Sequence, residues 1–155
     1  ELRGDAGGDT IDGGHGADTI IGGAGDDVLT GQAFGDAIFG GDGFDFINGG
    51  FGHDRLNGGA QGDTFFHLGV LGHGSDWIQD FSTAEGDRLQ FGGAGATAAD
   101  FQVNFTETAN AGQAGVQEAF VIYKPAGQIL WALVDGSTQD EINIVIGGQT
   151  YDLLA

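Results

Sequence analysis

Seven aspartates stand nine residues apart: Asp9, Asp18, Asp27, Asp36, Asp45, Asp54 and Asp63. A carboxylate can serve as an acid, a base, a nucleophile or a ligand for a hard cation, and the spacing chooses among these. Glycosidase chemistry uses two carboxylates with different roles, whereas seven equivalent ones describe an array. An array of oxygen donors suits calcium, which takes about six to eight oxygens, better than magnesium, which keeps water and strict octahedral geometry. The chain has no cysteine, which removes disulfides and thiolate metal sites. Its four histidines, His15, His53, His67 and His73, form no His-Glu-x-x-His motif. Ser75 lies in Gly-His-Gly-Ser-Asp, not in a Gly-x-Ser-x-Gly elbow. The residues therefore point to a metal-binding array and not to an enzyme.

What must position these carboxylates is also periodic. Two residues after each aspartate stands an apolar residue: Ile11, Ile20, Leu29, Ile38, Ile47, Leu56 and Phe65, with Leu2 in the same phase. Glycines complete the unit Gly-Gly-x-Gly-x-Asp-x-apolar-x across residues 4–66, broken only at Asp5, Gln32, Phe34 and Gln61. A flexible glycine-rich linker does not keep phase for seven units. The Gly-x-Gly fragments lack the third glycine and following helix of a nucleotide loop. A period of nine fits neither a helix nor a long strand. Each unit offers a short extended stretch and then a glycine turn, and such strands must stack on copies of themselves. Two units make one coil, with successive coils about 4.8 Å apart. Alternate aspartates then share a side: Asp9, Asp27, Asp45 and Asp63 on one, Asp18, Asp36 and Asp54 on the other. The first glycines of the units, Gly13, Gly22, Gly31, Gly40, Gly49 and Gly58, lack Cβ and let the turns close with carbonyl oxygens inward. Same-side neighbours enclose oxygen cages at Asp9/Asp27, Asp27/Asp45, Asp45/Asp63, Asp18/Asp36 and Asp36/Asp54, so about five or more calcium ions are expected.

This nonapeptide resembles that of the repeats-in-toxin (RTX) family of hemolysin-type calcium-binding repeats. The resemblance implies an all-β fold, a right-handed parallel β-roll or calcium-binding β-helix with one calcium between same-side turns. It also implies export by the type I secretion machinery of Gram-negative cells, hence a secreted, extracellular protein.

The phase is lost after Phe66, which divides the chain into a roll (1–66) and a C-terminal β-rich capping and secretion region (67–155). Asp76-Trp77-Ile78 keeps the Asp-x-apolar spacing. Ile78-Gln79-Asp80-Phe81 and Asp87-Arg88-Leu89-Gln90-Phe91 resemble the segment that follows the repeats in serralysin-type proteases, which implies an additional calcium at Asp80 and Asp87. Residues 119–124 and 128–134 read as strands of a hairpin around Pro125-Ala126-Gly127, and 141–146 as a third strand. Residues 97–103 read as a short helix or a strand. This region is expected to cover the open strand edges of the roll. The final Asp152-Leu153-Leu154-Ala155 resembles the tail of type I export signals.

Net charge is −19, from 23 acids against 4 bases. That balance excludes nucleic acid and disfavours an anionic membrane surface, and no apolar run is long enough to span a bilayer. With no methionine and no signal-peptide pattern, the chain reads as a C-terminal folding and export module of a larger protein. An alternative is a carbohydrate-binding module, similar to those attached to alginate-modifying epimerases. For an anionic polysaccharide, however, the chain offers only Arg3, Arg55, Arg88 and Lys124. An ice-binding face would need an outward threonine ladder, and the series Thr10, Thr19, Val28, Ala37, Phe46, Arg55, Thr64 is not one.

Glycine loses more freedom on ordering than any other residue, and the aspartates repel one another, so residues 1–66 are expected to be disordered without metal. Circular dichroism in chelator should show a coil spectrum that turns to β-structure in millimolar calcium. An unchanged spectrum refutes this.

Overall fold

The computed structural model describes residues 1–155. Short strands alternate between two sheets, as the nine-residue phase requires. One sheet receives β1 (Leu2–Ala6), β3 (Thr19–Ala24), β5 (Ala37–Asp42) and β7 (Arg55–Ala60); the other receives β2 (Thr10–Asp12), β4 (Val28–Thr30), β6 (Phe46–Asn48) and β8 (Thr64–His67). Neighbours in each sheet are parallel and offset by one coil, with Ile20 opposite Ile38 and Leu29 opposite Ile47. The three-residue strands expected from the repeat occur in the second sheet at β2, β4 and β6. In the first, pairing continues through the glycine turn, with Gly23 opposite Gly41, and gives six-residue strands.

The register stacks like on like. Leu2, Ile20, Ile38, Leu56 and Ile78 form one apolar row, and Ile11, Leu29, Ile47, Phe65 and Leu89 form the other. From Ile20 and Leu29 onward these side chains are completely buried, facing one another across the roll.

Parallel stacking continues beyond Phe66. Strand β9 (Asp76–Ile78) pairs with β7, and β10 (Arg88–Phe91) with β8. A short 3-10 turn at Ala98–Asp100 leads into β11 (Phe101–Thr106), so the stretch 97–103 contains both a helical turn and a strand. The hairpin consists of β12 (Glu118–Tyr123) and β13 (Gln128–Leu133), and β13 lies parallel to β9 while β12 and β11 follow antiparallel. In the other sheet β14 (Asn143–Ile146) lies parallel to β10, and β15 (Gln149–Asp152) folds back on it through Gly147 and Gly148, both at positive φ. Leu133 and Ile144 extend the two apolar rows. The C-terminal region thus adds to both sheets and ends each in antiparallel strands. No helix is long and apolar enough to cross a membrane.

Leu56 lies in the middle of its row and is fully buried, whereas Val28 faces outward and is 42% exposed. Leu56→Ala should cost about 2–5 kcal/mol in calcium-saturated chemical denaturation, and Val28→Ala should cost much less. Equal costs would contradict the inward rows.

Candidate metal centre

Each turn links a strand of one sheet to the next strand in the other, and its glycines do two different jobs. The second and fourth positions take positive φ, as at Gly41 (119°) and Gly43 (140°). The four departures from the repeat keep that conformation: Asp5 (71°), Gln32 (80°), Phe34 (81°) and Gln61 (80°). The turn containing Phe34 therefore closes despite the missing glycine, at the expense of a left-handed backbone that an L side chain rarely adopts. The first glycine has a different reason. A Cβ on Gly22 would overlap Asp27 Oδ2 and lie 2.6 Å from the carbonyl oxygen of Gly40. A Cβ on Gly4 would meet Asp9 Oδ2 and the Gly22 carbonyl oxygen in the same way. Gly31 faces Asp36 Oδ2 and the Gly49 carbonyl oxygen, and Gly40 faces Asp45 Oδ2 and the Gly58 carbonyl oxygen. The carbonyl oxygen of Gly31 lies 2.9 Å from the place of a Cβ on Gly13, with Asp18 Oδ2 at 3.4 Å. Each cradle is thus lined by a carboxylate oxygen of one turn and a glycine carbonyl of the next.

The carboxylates form two ladders. Oδ1 of each rung accepts the main-chain N–H of the aspartate one coil earlier. Asp9 donates to Asp27 (2.7 Å), Asp27 to Asp45 (2.9 Å), and Asp45 to Asp63 (2.9 Å). On the other side Asp18 donates to Asp36 and Asp36 to Asp54, both at 2.8 Å. Oδ2 of Asp9, Asp27, Asp36, Asp45, Asp54 and Asp63 is buried and has no hydrogen-bond partner. The one ion pair in the chain joins exposed Arg3 to Glu1 and leaves the ladders without a cationic side chain.

Asp87 takes the next rung after Asp63, accepting its N–H at 2.8 Å, and its other oxygen accepts from Ser82 N–H. Asp80 instead caps a turn by accepting the N–H groups of Gly58 (3.0 Å) and Gly59 (2.7 Å). The sequence did not single out Asp76 as a ligand, yet it precedes Trp77 as Asp54 precedes Arg55, the residue paired with Trp77, and it is buried. Its spacing of 22 residues from Asp54, against 18 within the nonapeptides, hid it; the Asp-x-apolar signature at 76–78 was the available signal.

Burial is the main cause that drives the metal-free carboxyls upward. Asp63 is pushed up to about 7, with the charges of Asp87, Asp45 and Asp80 adding to the effect. Asp87 is pushed up to about 6, and Asp36, Asp45 and Asp80 are also raised by burial. Buried, unpartnered anions demand a cation or a proton. No three histidine, aspartate or glutamate side chains converge, so the remaining donors of a cation in these turns would be main-chain carbonyl oxygens. A donor set of carboxylate and main-chain carbonyl oxygens fits calcium.

The RTX calcium-binding nonapeptide repeat family matches residues 1–29 and 30–65. Residues 1–65 are RTX calcium-binding repeats. The fold of the whole chain is similar to the solution structure of the AlgE6R3 subunit from the Azotobacter vinelandii mannuronan C5-epimerase. The TM-score is 0.59 and the sequence identity 24%, covering 94% of this chain and 81% of that one. No curated protein matches the chain. Residues 1–65 thus carry the RTX calcium-binding repeats, and the whole chain has the all-β roll described above.

Calcium must displace any proton held by the raised carboxyls, so RTX loading should release protons and weaken on acidification. Lowering the pH from about 7.5 to about 5.5, across the values of Asp63 and Asp87, should move the calcium midpoint to higher concentration. Calorimetry in buffers of different ionisation enthalpy reads the released protons directly; a midpoint unchanged by pH would contradict it.

Proposed function

We propose that residues 1–66 form a calcium-loaded RTX roll that folds only after export, and that residues 67–155 close its C-terminal end. In this reading the chain is a non-catalytic folding and export module of a larger, type I secreted, extracellular protein. The observation that carries it is the row of buried carboxylate oxygens without partners, in a chain with almost no cationic side chains to offset them. Five cages bounded by Asp9, Asp18, Asp27, Asp36, Asp45, Asp54 and Asp63 and by the first-glycine carbonyls give about five or more calcium ions. Asp87 extends one ladder, and Asp80 braces the turn beneath it. Because an unloaded roll buries like charges, metal binding supplies folding free energy. Midpoints of about 10⁻⁴–10⁻³ M, typical of extracellular calcium modules, would keep the chain unfolded in calcium-poor cytosol.

A second reading, polysaccharide binding, draws on the fold shared with an epimerase subunit. An open cleft lined by Arg55, Trp77, Gln79 and Asn110 has residue types that grip an acidic sugar. The four dispersed bases leave it the weaker of the two.

Position in the ladder ranks the rungs. Asp45 lies between Asp27 and Asp63, whereas Asp9 is a terminal rung with Asp27 as its one ladder neighbour. Asp45→Ala should remove two ions and raise the calcium midpoint of folding sharply, and Asp9→Ala should only fray one end. Titration calorimetry with circular dichroism checks both. Nanomolar saturation of the parent chain, or equal damage from the two variants, would overturn the reading.

A further inference from the structure

Asp76 differs from every nonapeptide rung. It is 1% exposed, and neither of its carboxylate oxygens has a hydrogen-bond partner. Its neighbour on the ladder, Asp54, is fully buried and also has an unpartnered Oδ2. The main chain brings the two together, since Trp77 N–H donates to the Asp54 carbonyl at 2.8 Å and Arg55 pairs with Trp77.

The turn that precedes Asp76 explains why no repeat pattern contains it. His67 follows Phe66 as Gly49 follows Asn48, and Asn48 and Phe66 are paired in register, so His67 stands where a first glycine belongs. A side chain there would strike the aspartate oxygen of a six-residue turn, as the cradle at Gly31 shows. Four additional residues before Asp76 relieve that conflict and still return the carboxylate to the ladder. The histidines do not neutralise it. Burial holds the His67 imidazole down to about 4 and lowers that of His73.

We propose that Asp54 and Asp76 hold a further calcium ion at the seam between the roll and the C-terminal region. The inference rests on the calcium reading of the ladder and extends it beyond the nonapeptides. Asp76 begins β9, the strand on which β13 docks, with Trp131 directly opposite Asp76. An ion here ties attachment of the C-terminal hairpin to loading of the roll.

The chain's two tryptophans report on the seam, because Trp77 adjoins Asp76 and Trp131 faces it. In the full chain, terbium replacing calcium should give tryptophan-sensitised emission. Asp76→Asn should lower that emission and remove one bound calcium per chain by native mass spectrometry, with the β-spectrum retained at saturating calcium. An unchanged ion count and emission in a folded Asp76→Asn chain would overturn the proposal, because the two carboxyls would then share a proton. If Asp76→Asn fails to fold, Asp76→Glu decides: a folded chain with the full ion count supports the site, and failure of both variants assigns Asp76 to packing. A parent chain that binds no calcium would instead strike down the reading of the whole ladder.

Discussion

Two ladders in this chain share a single phase, and neither can exist without the other. The nine-residue unit that sets Ile20 over Ile38 and Leu56 also sets Asp36 over Asp54. Close stacking is what hides the apolar row from water, and it brings like carboxylates together one coil apart while removing their solvent. Each rung satisfies one oxygen with a main-chain N–H, but the second oxygen of most rungs remains buried and bare. With four basic residues in the chain and none paired to a rung, the protein cannot supply the countercharge itself. A divalent cation can, and its uptake is then inseparable from folding.

Glycine makes the cages possible through two separate constraints. At the second and fourth positions the requirement is conformational, and a non-glycine residue held there costs of order 1–3 kcal/mol. Asp5, Gln32, Phe34 and Gln61 show that the roll tolerates this. They fall in units 4–12, 31–39 and 58–66, and the same-side repeat units next to each match the pattern fully. Strained turns therefore stack on relaxed ones, whose strands and carboxylates hold them in register. At the first position the requirement is space, and residues 4–66 allow no substitution there. A strained backbone can be held in place by its neighbours, whereas an occupied cation cradle cannot.

Periodicity made the roll legible from sequence. The strands, both apolar rows, the two sides of the aspartate ladder and the glycine cradles all follow from counting in nines. The six-residue strands of the first sheet were less visible, because their extra pairing passes through glycines that carry no strand signal. The hairpin at β12–β13 was readable from its β-branched and aromatic runs, but not its parallel docking on β9, which depends on partners distant in sequence. Strand β15 was missed, since Gln149–Asp152 has little strand character apart from the Gly147-Gly148 turn before it. Asp76 was visible as a spacing but not as a rung, because the register that would have identified it is shifted by four residues.

That shift shows how a repeating fold can stop. Identical coils carry no instruction to end, since every coil presents the next with a matching edge and another half-built cage. His67 breaks the rule at the one position where the repeats are strict, and the longer turn it requires leads into β9. One parallel strand follows in each sheet, β13 and β14, and after these the pairing turns antiparallel. Antiparallel strands reverse within a short hairpin and need no cage at their ends, so the sheets can finish without further aspartates. The last buried aspartates of the two sides, Asp76 and Asp87, stand at the start of β9 and immediately before β10, the strands on which the C-terminal region docks. The break in the first-glycine rule thus precedes two further parallel strands in each sheet, and antiparallel pairing ends both.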